Sequence, residues 1–151
     1  IIKSTVIWVS QFLLQCIIVI AVLLIFNSPI TMKTFLFIPG LLLLLLNLLW
    51  ISTLISLVAT RYQDAQLIIS SVMPLVFFLT PVMWYPEMLE ARAWLVDFNP
   101  LVHLINIVRM PLLDVVPPVE SYYLAIAFAL VGGALSFVVW RRFANYLPFW
   151  L

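Results

Sequence analysis

Few residues in this chain are equipped for chemistry, and their spacing rules out most of it. There is one cysteine (Cys16), one histidine (His103) and six acids, at positions 64, 87, 90, 97, 114 and 120. Cys16 lies inside an apolar run and has no second cysteine to pair with, so an internal disulfide is excluded. His103 has no serine or cysteine partner at a recognisable spacing, and a metal centre would want several ligands together. A histidine satisfied at an interface is the plainer reading. Glu87, Glu90 and Asp97 fall toward one face of a short helix candidate. Paired carboxylates can act as acid and base, but a solvated face is the ordinary use of such a pattern. The three glycines (Gly40, Gly132, Gly133) cannot build a phosphate-cradling loop. No enzymatic site and no nucleotide site is therefore expected, and neither a metal nor another cofactor.

The residues that remain are suited to lining or positioning, and the elements that carry them are membrane spans. Hydrophobic residues make up 66% of the chain and charged residues 9%, where a soluble domain has roughly a quarter charged. Mean hydropathy is +1.24. Charge-free runs cover 4–32, 34–60, 65–86 and 121–140. Crossing hydrocarbon takes about 20 apolar residues in a helix, so four spans are expected, over about 5–26, 35–60, 65–86 and 121–140. The first begins almost at residue 1, and the chain reads as the C-terminal piece of something longer.

Several features within the spans point to protein or water rather than lipid. Ser4, Trp8, Gln11 and Gln15 share one face of the first span. Asn47 and Trp50 sit at mid-depth in the second, followed by the Thr53, Ser56, Thr60 stripe. Trp normally prefers the interface, so packing against protein is expected for Trp50. Arg61 and Asp64 are three apart, within reach on a helix continuing past the turn, and form a candidate hinge or contact at the membrane edge. The third span carries Pro74 and Pro81, which each remove a helical hydrogen bond. Gly132 and Gly133 in the last span let another helix come close.

Between the third and fourth spans, 87–113 is too polar to span and too apolar for a free loop. Pro86 opens one short helix. Asn99-Pro100 opens another, with Asn as cap and Pro in the first turn. Its expected apolar face is Leu101, Leu104, Ile105, Val108 and Leu112, with His103, Asn106 and Arg109 opposite. A re-entrant pair is expected, which is tolerated at membrane depth only when shielded by protein or lining water. Four spans put Lys3, Arg61, Arg141 and Arg142 on one side. The Arg141-Arg142 pair beside a span end makes that side cytoplasmic, with both chain ends on it.

Three motifs carry a resemblance. R-Y-Q-D at 61–64, F-F-L-T-P-V-M-W-Y-P at 77–86 and N-P-L-V-H-L-I-N-I-V-R-M-P-L-L at 99–113, in this order, resemble ABC-2 type permeases. The branch most similar exports polysaccharides or polyol phosphates such as O-antigen, capsule and teichoic acid, and the basic-aromatic ending R-R-F-A-N-Y-L-P-F-W-L is similar too. The resemblance implies that 1–151 is the C-terminal part of one six-span transmembrane domain in a bacterial inner membrane. It implies a second permease copy, a separate ABC ATPase subunit holding ATP and magnesium, and a lipid-linked glycan as substrate. It also implies Phe77, Phe78, Trp84 and Tyr85 as aromatic lining, and Asn99, His103 and Arg109 at the channel mouth. The alternatives are a drug- or lipid-exporting branch of the family, a secondary transporter and a polytopic scaffold. A secondary transporter usually carries an ionisable coupling residue inside a span, and the four runs have none.

Overall fold

The computed structural model describes residues 2–25, 31–62, 64–80 and 99–143. Helix α1 spans Ile2–Ile25. A 3₁₀ turn, Met32–Leu36, leads into α2, Phe37–Arg61. Helix α3 covers Ala65–Leu79, α4 Pro100–Leu112 and α5 Val119–Phe143. All elements among the described residues are helical. Two stretches there, Met32–Arg61 and Val119–Phe143, are long and apolar enough to cross a membrane; the apolar stretch Leu14–Ile25, α3 and α4 are shorter.

Helices α2 and α5 run side by side in the same direction and form the backbone of the fold. Near their starts, the Tyr122 hydroxyl reaches the Leu36 carbonyl at 3.5 Å. Further along, the Asn47 amide donates to the carbonyls of Leu43 (2.9 Å) and Ala125 (3.1 Å), and its oxygen accepts from the Trp50 indole at 3.1 Å. Asn47 is fully buried, and all its polar atoms have work, which is what makes a buried amide tolerable. Trp50 meets Phe128 edge to face with centroids 5.0 Å apart. The ring also lies on Gly132: a Cβ there would come within 2.1 Å of it. The expected packing of Trp50 and the close approach at Gly132 are both present. At Gly133 nothing lies within 4 Å of an added Cβ, so only one of the two glycines has this use.

Helix α4 packs antiparallel into the groove between the first halves of α2 and α5. Its buried residues are Val102, Leu104, Ile107 and Pro111; of the five expected from the sequence Leu104 is among them, and Leu101 and Val108 are partly buried against the same core. The difference arises because α4 has protein on more than one side, so its buried stripe is set by two neighbours and not by its most apolar face. Pro111 has no N–H, which deprives the Ile107 carbonyl of its helical donor four residues on. That same carbonyl abuts Gly40, where a Cβ would stand 2.3 Å from it. A glycine on α2 and a proline on α4 thus permit one backbone-to-backbone contact.

The chain turns out of α4 through Asp114, the one non-glycine residue with positive φ (60°) among those described. The Val115 N–H bonds the Met110 carbonyl and the Asp114 N–H the Pro111 carbonyl. This pattern closes a helix around a left-handed residue and satisfies its last carbonyls. Aspartate is among the few residues other than glycine that accept that conformation readily.

Helix α3 is 15 residues long, about 22 Å at the helical rise, so by itself it does not cross. It ends where Thr80 turns extended (φ −95°, ψ 131°), as a residue before proline prefers. The rest of the expected third span, and the first of the two short helices expected between spans, lie outside the described residues.

Candidate functional site

An apolar cleft of about 810 Å³ is bounded by α2, α3 and α4. From α2 it takes Leu44, Leu48 and Ile51, from α3 Met73, Pro74, Phe77 and Phe78 among others, and from α4 Leu101, Leu104 and Ile105. The first turn of α4 therefore lies beside the middle of α2, and its last turn beside the start. Pro74 leaves the Ser70 carbonyl without its helical donor, on the wall of this cleft. The hydroxyls of Ser70, Ser71 and Thr80 return to carbonyls of their own helix, as do those of Thr53 and Thr60 on α2. Side-chain oxygens on an apolar helix are satisfied locally in this way.

Of the expected lining and mouth residues, Phe77 and Phe78 line this cleft. Phe77 and Phe78 stand edge to face, 6.1 Å apart, both exposed. Asn99 sits at the junction of the two short helices: its amide donates to the Leu79 carbonyl at 3.3 Å, and its oxygen accepts from the Leu101 N–H at 3.0 Å. The cap expected at Asn99 is present, and it also joins α4 to the end of α3. Trp84 and Tyr85 lie outside the described residues, as do Glu87, Glu90 and Asp97.

The other two expected mouth residues, His103 and Arg109, do not line the cleft itself. His103 Nδ1 is 3.0 Å from the hydroxyl of Ser121, which is fully buried on α5. Arg109 is exposed and borders a smaller groove of about 230 Å³ with Ile18, Val19, Val22 and Leu23 of α1. Asn99, His103 and Arg109 thus face α3, α5 and α1 in turn. Gln11 and Gln15 of α1 are exposed; the side chains of Ser4 and Trp8 lie outside the described residues.

Arg61 and Asp64 do not share one continuing helix. The backbone becomes extended at Tyr62 (φ −121°, ψ 114°), and Asp64 is the N-terminal cap position of α3. The Arg61 guanidinium lies 5.3 Å from the Tyr62 ring centroid and 5.8 Å from that of Phe143 on α5.

A polar clamp at the opposite end was missed. Thr31 caps the 3₁₀ turn before α2, accepting from the Lys33 N–H, and donates its hydroxyl to an Asp114 carboxylate oxygen. The Lys33 ammonium reaches the Asp114 carbonyl at 3.2 Å and the carboxylate at 3.5 Å. The Thr31 hydroxyl, and after it Lys33, hold the Asp114 carboxyl below the usual carboxylate value against an opposing effect of desolvation. Lys33 also places a cation at the C-terminus of α4, where the helix dipole favours one. The signal available was weak: four spans put Lys33 and Asp114 on the same side of the membrane, 81 residues apart.

Among the described residues no three His, Cys, Asp or Glu side chains gather as a metal site would require. The arrangement offers an apolar cleft, an aromatic pair on its wall and polar junctions that hold short helices in place. The ABC-2 type transporter family model matches residues 2–113, and the chain belongs to that family. It is an integral membrane protein with the membrane-subunit domain of an ABC transporter. Comparison with curated proteins and with solved structures returned no match.

Proposed function

We propose that this chain is the C-terminal part of the permease of an ATP-driven exporter. It moves a lipid-linked polysaccharide or polyol phosphate polymer across the bacterial inner membrane. The observation that carries the reading is the cleft where α3 stops at Thr80 and α4 begins at Pro100. It is apolar along its walls, as a lipid carrier needs, and has Phe77 and Phe78 beside it, where the C–H faces of a sugar can stack. Trp84 and Tyr85 extend this aromatic wall in the proposal, and Arg109 and His103 stand near the mouth. α1, α2, α5 and the 65–86 stretch act as the four spans, α4 as one of two re-entrant helices, and both chain ends face the cytoplasm. ATP and magnesium belong to a partner ATPase, and two permease copies enclose the path.

A second reading, a branch exporting drugs or lipids, is favoured by one fact: hydrocarbon groups make up nearly all of the cleft lining. The test is purification of the full-length protein in mild detergent, with mass spectrometry of bound proteins and lipids. A co-purifying P-loop ATPase with a lipid-linked glycan is the expected result. An ATPase with unglycosylated lipid or a drug-like amphiphile moves the assignment to the second reading. Recovery with no ATPase overturns both.

A further inference from the structure

The two ends of α4 border different openings. Its first turns lie at the apolar cleft, through Leu101, Leu104 and Ile105. Its last turn lies across a groove of about 230 Å³ from α1, with Ile18 and Val22 on one wall and Leu112 on the other. Arg109 is the one charged residue lining that groove among those described.

The charge is unmatched. Arg109 is exposed and makes no hydrogen bond or ion pair with any described residue. The described charged groups at this end are committed: Lys33 and Asp114 to each other, and Glu120 to the first turn of α5, where the helix dipole favours an acid. Asn106, one turn earlier on α4, is half-buried and has no hydrogen-bond partner among the described residues either. Side chains three apart on a helix have their Cβ atoms about 5–6 Å apart, so the Asn106 amide and the Arg109 guanidinium can meet the oxygens of one phosphate. A guanidinium suits phosphate in particular, because its planar fork donates paired N–H bonds.

Depth and size narrow the occupant. The Ile107 carbonyl abuts Gly40 and α4 runs antiparallel to α2, so Arg109 stands level with the start of α2 near Phe37. The apolar stretch Met32–Arg61 begins at this end, which places the guanidinium at headgroup level, where a cation beside hydrocarbon is costly until paired. An apolar cavity of about 150 Å³ takes a benzene-sized group, so 230 Å³ has room for a short stretch of one acyl chain. No acid or aromatic ring lines the groove among the described residues, so nothing there would hold a choline cation. An inorganic anion would leave the aliphatic walls unused.

We propose that the α1–α4 groove binds an anionic phospholipid of the bilayer, its phosphate held by the Arg109 guanidinium and the Asn106 amide and one acyl chain lying against Val22 and Ile18. This goes beyond the transport reading and does not depend on which cargo is exported.

The experiment uses the full-length protein with whatever ATPase accompanies it, delipidated in detergent and titrated with phosphatidylglycerol or phosphatidylcholine. Native mass spectrometry counts the bound lipid. Phosphatidylglycerol is expected to bind at lower concentration than phosphatidylcholine. Arg109→Gln should weaken its binding about fivefold, the factor for roughly 1 kcal/mol per basic residue near an anionic surface. Asn106→Leu should weaken it about threefold, through the loss of one hydrogen bond. Val22→Trp fills the groove from an exposed position on α1 without touching the charge and should weaken it as well; it serves if the α4 variants fail to fold. Arg141→Gln, at the opposite end of the fold, should leave the affinity unchanged, and a comparable loss there overturns the proposal. Equal affinities for the two lipids overturn it too, as does an unchanged affinity in any of the three groove variants, or inorganic phosphate displacing the lipid at equal concentration. A polyprenyl phosphate that binds more tightly than phosphatidylglycerol, and is weakened by the same substitutions, assigns the groove to a cargo carrier instead. The titration needs neither glycan nor transport, so its failure is separate from failure of the transport reading.

Discussion

Where α2 meets α4 and α5, the close approaches run through a glycine or a polar tie: Gly40 on the Ile107 carbonyl, Gly132 under Trp50, Asn47 on Ala125, Thr31 and Lys33 on Asp114. Where α2 meets α3, the facing side chains stand apart across the 810 Å³ cleft. In a bilayer, lipid tails are as apolar as leucine, so burial alone does not drive helices together; close packing and hydrogen bonds do. The block uses both means; among the described residues the α3 flank has the single Asn99–Leu79 hydrogen bond at its end. Among the described residues the contrast sets a closely packed block of α2, α4 and α5 against a more open α3 flank.

The comparison can be broken most sharply at the glycines. Gly40→Val forces the α2–α4 backbones apart and should cost about 3 kcal/mol or more, at the upper end of overpacking effects. Gly133→Ala, with open space around it, should be neutral or stabilising by up to about 1 kcal/mol through helix propensity. Thermal unfolding in detergent separates the two; equal effects would mean that Gly40 is not a contact point.

Asn47→Leu keeps the branching of the side chain, with somewhat bulkier ends, and removes three hydrogen bonds. Its expected cost is about 1 kcal/mol, the usual range for polar contacts between membrane helices. The Trp50 indole loses its acceptor, so the tryptophan emission should shift with the stability. A neutral result would leave packing alone as the tie between α2 and α5.

On the flank, Phe78 is 68% exposed. Phe78→Ala should change stability by less than about 0.5 kcal/mol while reducing transport in the full-length protein. A large loss of stability would show α3 to be packed after all and erase the contrast.

The smallest effect expected is that of Asp114. Its pKa is lowered in the folded state by the Thr31 hydroxyl and Lys33. The clamp therefore contributes above the unfolded value and is lost as pH falls through the lowered one. Asn accepts the same backbone conformation, so Asp114→Asn tests the charge alone. Wild type should be the more stable at neutral pH, and the difference should shrink only below about pH 4, near the ordinary carboxylate pKa. A difference that disappears near pH 6 would assign the effect to another group.

The sequence by itself determined the class of protein. Long charge-free runs leave the bilayer as the solvent, because a helix satisfies its own backbone and needs only apolar side chains outside. Local chemistry was legible as well: Asn99 caps α4, since a cap acts within one or two residues. The motif order pointed to the ABC-2 family, and the family match agrees. What only the tertiary structure decided are relations between distant segments. A glycine does not announce which backbone it admits, and Gly132 and Gly133 are alike in sequence while one lies under a ring and the other in open space. His103, Arg109 and Asn99 lie on one short helix or at its cap, yet each faces a different neighbour, because the azimuth of a helix is set by what surrounds it. Thr31 and Asp114 are 83 residues apart, and no local preference could pair them. Their meeting depends on α4 lying antiparallel between two helices whose relative direction is fixed only when they pack.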